Sequence, residues 1–398
     1  MLANAPVMGA TTTDGTTVKR LQASFGAAVL AGLTALTLAA CGSDNPTGTA
    51  TSEAPATDAT SAAGETTPAG SGAQVSGTLN GNGSSAQDAA QQAWAAQFQS
   101  ANAGASVIYT KTDSGGGRKA FLEGSVEFAG TDSALSTDEL TQATDRCSGG
   151  TAMDLPVYVS PIAVAFNIEG VTSLNLSADT VAKIFDGKIT SWDDPAITAD
   201  NPDATLSGAI TVVHRSDDSG TSKNFQDYLA KAAPDSWTYE VSNTWPVNVG
   251  QGANGTSGVV QTIQSAPGTI GYADASAIGT LGTVALGVGS EFVAPTAEGA
   301  AAALDASSRD DSRAANDIVI KIDRTTTAAG AYPAILVSYI AVCTTYDTAE
   351  KADLVKAYVS YVASSEGQAA AASAAGSAPI SDALSAEVVA AAETISAQ

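Results

Sequence analysis

Histidine is almost missing from this chain, with a single residue, His214, in 398. That excludes a multi-histidine metal site and leaves a Ser-His-Asp triad only one possible centre. His214 stands in a β-branched run just before Arg215, where a structural role is expected rather than a catalytic one. Basic residues are scarce too: 17 Lys and Arg stand against 41 Asp and Glu, a formal charge of −24. Nucleic acid binding needs a basic face and is not expected. The same acidity offers an anion no general attraction, so capture of one must come from a local cluster of donors. No phosphate-cradling P-loop is present, so any coupling to ATP would fall to partner subunits.

Long apolar runs are missing as well. The segment 27–40 follows Lys19 and Arg20 and is too short for a comfortable membrane span. It ends Leu38-Ala39-Ala40-Cys41 before Gly42 and Ser43, which resembles the lipobox of bacterial lipoproteins. That resemblance implies cleavage after residue 40, lipidation of Cys41 with palmitate among the acyl chains, and an extracytoplasmic protein anchored to the membrane. The alternative is a plain signal peptide with an incidental cysteine. Residues 42–73 contain no aromatic residue, Lys or Arg, cannot bury enough apolar surface to fold, and read as a flexible tether.

Only three cysteines occur, and beyond Cys41 they are Cys147 and Cys343. In an extracytoplasmic setting disulfides persist, and a bond between these two would close a loop of roughly 200 residues, worth about 5 kcal/mol on the chain-entropy estimate. Two separately buried thiols are the alternative.

What is present is an alternation of strand and helix from about residue 75. Ala90, Trp94 and Phe98 share a helix face. Strand patterns fall at 105–110, 126–129, 210–213, 269–272, 318–322 and 335–342. The apolar run 155–166, interrupted by Pro156 and Pro161, reads as a crossover segment plus a buried strand. Helices are expected around 118–122 and over 178–185, 222–233 and 349–364. Such units predict an α/β protein with open sheets, whose ligands sit beyond the carboxyl ends of strands. The length suffices for two domains.

Three glycine- and serine-rich turns, 81–85, 113–117 and 219–221, each precede a predicted helix. The third follows Arg215 at a strand's end, and its helix repeats Phe225, Leu229 and Ala232. A guanidinium facing hydroxyls and bare N–H groups at a helix start suits a tetrahedral oxyanion. With Asp132 ending another strand, the pattern suggests convergence on a small anion.

The chain resembles the phosphate-binding lipoproteins of bacterial ATP-driven phosphate importers (the PstS type). The resemblance runs from Val75 to about Leu384. It is carried by residues 81–85, Ser114-Gly115-Gly116, Phe128-Ala129-Gly130-Thr131-Asp132, residues 184–194, residues 215–221 and Gly268-Thr269-Ile270-Gly271-Tyr272. It implies a two-lobed, hinged clamp of the periplasmic-binding-protein type (type II), with residues 75–158 plus 284–398 in one lobe and 159–283 in the other. Cys147 and Cys343 then share a lobe, which favours their pairing.

Carried over by position, Ser85, Ser114, Ser219 and Thr221 would give hydroxyl hydrogen bonds to phosphate. Ala86 and Gly220 would give N–H groups, and Arg215 the one full positive charge. Asp132 would accept the ligand's own proton, and Asp217 would hold Arg215. The family usually has Thr-Phe where this chain has Ser85-Ala86. The resemblance implies a monomeric binding protein with no cofactor, feeding phosphate to an ABC permease and its ATPase. Alternatives are a phosphatase on the same fold, or a phosphate sensor or surface antigen without transport.

Overall fold

The computed structural model describes residues 74–398. The expected signal segment, Cys41 and the tether lie outside the described residues. Among the described residues no helix is long and apolar enough to cross a membrane, and no cluster of His, Cys, Asp and Glu could hold a metal ion.

One strand organises everything. Ala152–Asn167 is 16 residues long and buried at every position but its last. It pairs with the strand Ile335–Cys343 through Pro161, then from Ile162 onward with Thr269–Asp274. Neighbours on both edges and packing on both faces explain why its sequence is a continuous apolar run, not an alternation. The prolines do not break it. Pro156 sits where the register against Ser338/Tyr339 slips by one, a bulge at which a missing N–H is tolerated. Pro161 stands at the changeover between the two partners.

Around this strand the chain builds a two-lobed α/β clamp on a curled mixed sheet. In the first half, Gly104–Lys111, Ser76–Gly83, Phe128–Thr131 and Ile335–Cys343 lie in that order beside the long strand. In the second, Thr269–Asp274, Thr211–Arg215 and Gln251–Ala253 continue the sheet. The strand Gly282–Val288 and its hairpin partner Glu291–Val293 also pair in this half, so residues 284–293 follow the second sheet past the boundary read from sequence. Hydrophobic helix faces close the layers: Trp94 and Phe98 of Asp88–Ala101 and Phe225 and Leu229 of Gly220–Ala232 are fully buried.

Cys147 and Cys343 are bonded, with Cα atoms 5.1 Å apart. The bridge ties the C-cap of the helix Thr137–Arg146 to the end of the strand Ile335–Cys343. The apolar stretch 318–322 contributes only Ile320–Lys321 to a two-stranded ladder with Ser308–Arg309. Ile318 is drawn instead into the core, its N–H donating to the Asp154 carbonyl at 2.9 Å.

Candidate functional site

The parallel strands Ser76–Gly83 and Phe128–Thr131 of the first half, and the oppositely directed strand Thr211–Arg215 of the second, release their carboxyl ends toward one buried place between the halves. Four helices begin there: Asp88–Ala101, Ser114–Leu122, Gly220–Ala232 and Gly255–Ser265. Helix starts supply unpaired N–H groups and the positive end of the helix dipole, so the location favours negative charge. Close approach requires glycine. Gly83 takes φ of +150°, and a Cβ there would lie 1.9 Å from the Gly130 carbonyl oxygen. A Cβ on Gly220 would lie 2.6 Å from Ser114 Oγ and 2.9 Å from the Asp132 carbonyl carbon.

Asp132 is the hub of the first half, 2% exposed. Its Oδ2 accepts from Ser84 Oγ at 2.6 Å and from Thr221 Oγ1 at 3.2 Å, and its Oδ1 accepts from Ser338 Oγ at 2.8 Å. Its backbone N–H donates to Ser114 Oγ at 3.1 Å. Burial pushes the carboxyl up from the usual aspartate range, opposed by the Ser84 and Ser338 hydroxyls, the Arg215 charge and the Thr221 hydroxyl. Asp132 and Arg215 therefore act on one another across the boundary between the halves. A carboxylate accepts at about four lone-pair positions, and with three occupied one remains.

Arg215 is 3% exposed. Its Nε donates to Asp217 Oδ1 at 2.7 Å, and Nη2 makes the second arm of the fork to Oδ2. The opposite edge of the guanidinium, Nη1, is left free of Asp217, the geometry in which arginine can grip an oxyanion while a carboxylate holds it. Asp217 Oδ1 also accepts from the Gly255 N–H at 3.3 Å, anchoring the fourth helix start to the same pair.

Ser85 lies on the boundary. Its Oγ accepts from the Thr256 N–H at 3.1 Å and is 3.0 Å from Thr256 Oγ1. The helix Gly255–Ser265 has no side-chain cap of its own, so a serine from the first half caps it. The Ala86 N–H turns to Ser84 Oγ at 3.1 Å. Ser219 is the N-cap of Gly220–Ala232, its Oγ accepting from the Ser222 N–H at 3.1 Å. His214 stacks on Trp245 with ring centres 5.5 Å apart, and its Nδ1 lies 2.9 Å from the Arg215 carbonyl oxygen.

Every residue expected at the site thus gathers in one region, together with three that sequence reasoning missed. Ser84 lies in the serine-rich turn 81–85, beside the Ser85 to which the resemblance points. Thr256 lies in the glycine-rich loop after residue 250, whose helix start was the available signal. Ser338 is the one serine of an apolar strand, fixed also by Gln87 Nε2 at 2.9 Å.

Known proteins share this framework. A family model described as the PBP superfamily domain matches residues 49–366. Phosphate-binding protein PstS3 of Mycobacterium bovis (strain BCG / Pasteur 1173P2) is 36% identical over 345 residues, covering 84% of this chain and 89% of the relative. Phosphate-binding protein PstS 2 of Mycobacterium tuberculosis (strain ATCC 25618 / H37Rv) is 36% identical over 290 residues, 71% of this chain and 78% of the relative. Among solved structures, the high-affinity periplasmic phosphate-binding protein PfluDING, bound with phosphate, aligns with a TM-score of 0.64 at 23% identity. That alignment covers 79% of this chain and 93% of the other and speaks for the fold. The chain belongs to the PBP superfamily, in the family of the PstS phosphate-binding proteins.

Proposed function

We infer that this protein captures inorganic phosphate between its two lobes outside the cytoplasm and delivers it to an ABC-type phosphate permease. The observation that carries the reading is the pairing of one buried guanidinium, itself held by Asp217, with a buried carboxylate that keeps an acceptor position open. Monohydrogen phosphate suits both groups. Its oxygens take the Nη1 edge of Arg215, the hydroxyls of Ser85, Ser114 and Ser219 and the N–H of Gly220, and on binding the Thr221 hydroxyl and the Ala86 N–H turn to it from Asp132 and Ser84. Its own O–H donates to Asp132. Sulfate at neutral pH has no proton to give and meets a like charge in a desolvated place. A site built around one ligand hydrogen bond rejects the analogue lacking it by roughly 10⁴-fold.

Donors divided between lobes make closure favourable when the anion is present, and a permease can then distinguish loaded from empty protein. Cys41 is the proposed lipid attachment and 42–73 the tether, which lets a monomeric clamp turn above the membrane. Relatives of this family carry names for binding, not hydrolysis. Calorimetric titration with phosphate, arsenate and sulfate tests the reading. Phosphate and the equally protonated arsenate should bind and sulfate should not; unchanged phosphate affinity in Arg215→Ala would discard the assignment.

A further inference from the structure

Behind Asp132 lies a cavity of about 330 Å³ whose wall includes Asn224, Asp227 and Arg324. None of the three belongs to the anion site proposed above. Arg324 is 2% exposed and comes from the loop ahead of the strand Ile335–Cys343. Its Nη1 donates to the Ile335 carbonyl at 2.6 Å and to the Pro333 carbonyl at 3.1 Å, which fixes it to the first half. Its other two nitrogens reach into the second half. Nη2 donates to Asn224 Oδ1 at 2.6 Å and Nε to Asp227 Oδ2 at 3.0 Å, both on the helix Gly220–Ala232.

Asn224 extends the chain of contacts. Its Nδ2 donates to the Asp132 carbonyl at 2.5 Å and to the Gly220 carbonyl at 3.0 Å. Asp132 and Gly220 face each other from opposite halves, so one amide spans the closed boundary and a buried guanidinium fixes that amide's orientation. Of these bonds, those of Arg324 to Asn224 and Asp227 and that of Asn224 to the Asp132 carbonyl join the two halves. Separation of the halves would break these three contacts while leaving Arg324 on the Pro333 and Ile335 carbonyls and Asn224 on the Gly220 carbonyl.

We propose that Arg324, Asn224 and Asp227 form a latch that favours the closed clamp independently of the anion and sets the spacing between Asp132 and Gly220. As positioning residues they touch no ligand. The latch rests on the phosphate-capture reading only for its kinetic readout. Its contribution lies on the dissociation side, because breaking a buried, hydrogen-bonded charge contact acts mainly on the off-rate.

Two measurements on the full chain test this. Stopped-flow kinetics with inorganic phosphate should show Asn224→Ala raising the dissociation rate about tenfold with association changed less than about twofold. Asp227→Asn, at a carboxylate 25% exposed, removes only the charge and should raise it about threefold. Spin labels placed one on each half, with no anion added, should show a smaller closed fraction in both variants than in the parent. Unchanged dissociation in both, or an unchanged label distance, overturns the latch. Should Asn224→Ala fail to fold, Asp227→Asn decides alone. A parent that does not bind phosphate defeats the preceding section, while the anion-free distances still judge the latch.

Discussion

Ser84 Oγ donates to Asp132 Oδ2 across 2.6 Å, whereas its neighbour Ser85 turns to Thr256. Two adjacent hydroxyls in one turn therefore serve different ends of the site. Ser84 neutralises part of a buried carboxylate's charge, and Ser85 joins the two halves.

Their alanine variants should separate on selectivity. Ser84→Ala removes a hydrogen bond to a charged group, worth roughly 1.5–3 kcal/mol, and lets burial push the Asp132 carboxyl higher still. A carboxyl shifted toward its neutral form accepts the phosphate proton less strongly and repels an unprotonated oxyanion less, so binding weakens roughly 10- to 100-fold and the preference over sulfate narrows. Ser85→Ala should weaken both anions alike and leave the ratio intact. Competition calorimetry with the two anions reads the difference; equal loss of selectivity in both variants would contradict these assignments.

Gly220→Ala should damage closure while sparing the fold. The new Cβ meets Ser114 Oγ and the Asp132 backbone, both on the opposite half, so the clash exists only when the halves meet. Overpacking of this kind costs about 1–3 kcal/mol, which predicts phosphate affinity lower by roughly 10- to 100-fold. Urea unfolding without ligand should give a midpoint close to the parent's. A large drop in that midpoint would mean that Gly220 serves the lobe itself.

Local pattern revealed those elements whose neighbours along the chain decide them. The helix Ala178–Phe185 falls where its apolar spacing placed it, with Ser177 as its N-cap. The helix at 220 starts two residues before the expected 222–233, because its first turn is Gly-Thr and only the Ser219 cap marks it. Pro156 and Pro161 looked like interruptions, since nothing local tells that one meets a bulge and the other a change of partner strand. Arg215, Asp217 and the serine-rich turns were legible because anion chemistry needs those groups at strand ends. Ser338 was not: it arrives 206 residues after Asp132 in the chain, and only the antiparallel placement of its strand beside Phe128–Thr131 brings it there.

The disulfide should matter to stability and little to binding. It closes a separation of 196 residues, for which the chain-entropy estimate gives about 5 kcal/mol. Replacing Cys147 and Cys343 together by alanine should lower the melting temperature by on the order of 10 °C. Its anchor lies at the far end of the strand that carries Ser338, so phosphate affinity should change less than about twofold. Calorimetric melting and titration of the double variant check both; a melting temperature equal to the parent's would mean that the unfolded chain is already compact without the bridge.

Asp274 should give the clamp a pH-dependent stability of its own. The residue ends the strand Thr269–Asp274 opposite Ile162, fully buried, with its Oδ1 accepting from the Ser276 N–H at 3.0 Å and from Ser276 Oγ at 2.6 Å. Burial pushes its carboxyl up to about 6 despite those bonds, with the Asp132 charge adding to the rise. An unfolded aspartate titrates near ~3.9. Between those values the native state holds a proton that the unfolded chain has lost, so stability falls as pH rises from about 4 through about 6 and is level above. Two pH units correspond to about 3 kcal/mol. Asp274→Asn keeps an acceptor for Ser276 and removes the titration, so its stability relative to the parent should improve by about that amount from pH 4 to pH 7.5. Urea unfolding of both proteins at the two pH values measures it. A difference that stays constant with pH would show that Asp274 ionises as readily in the folded protein as in the unfolded chain.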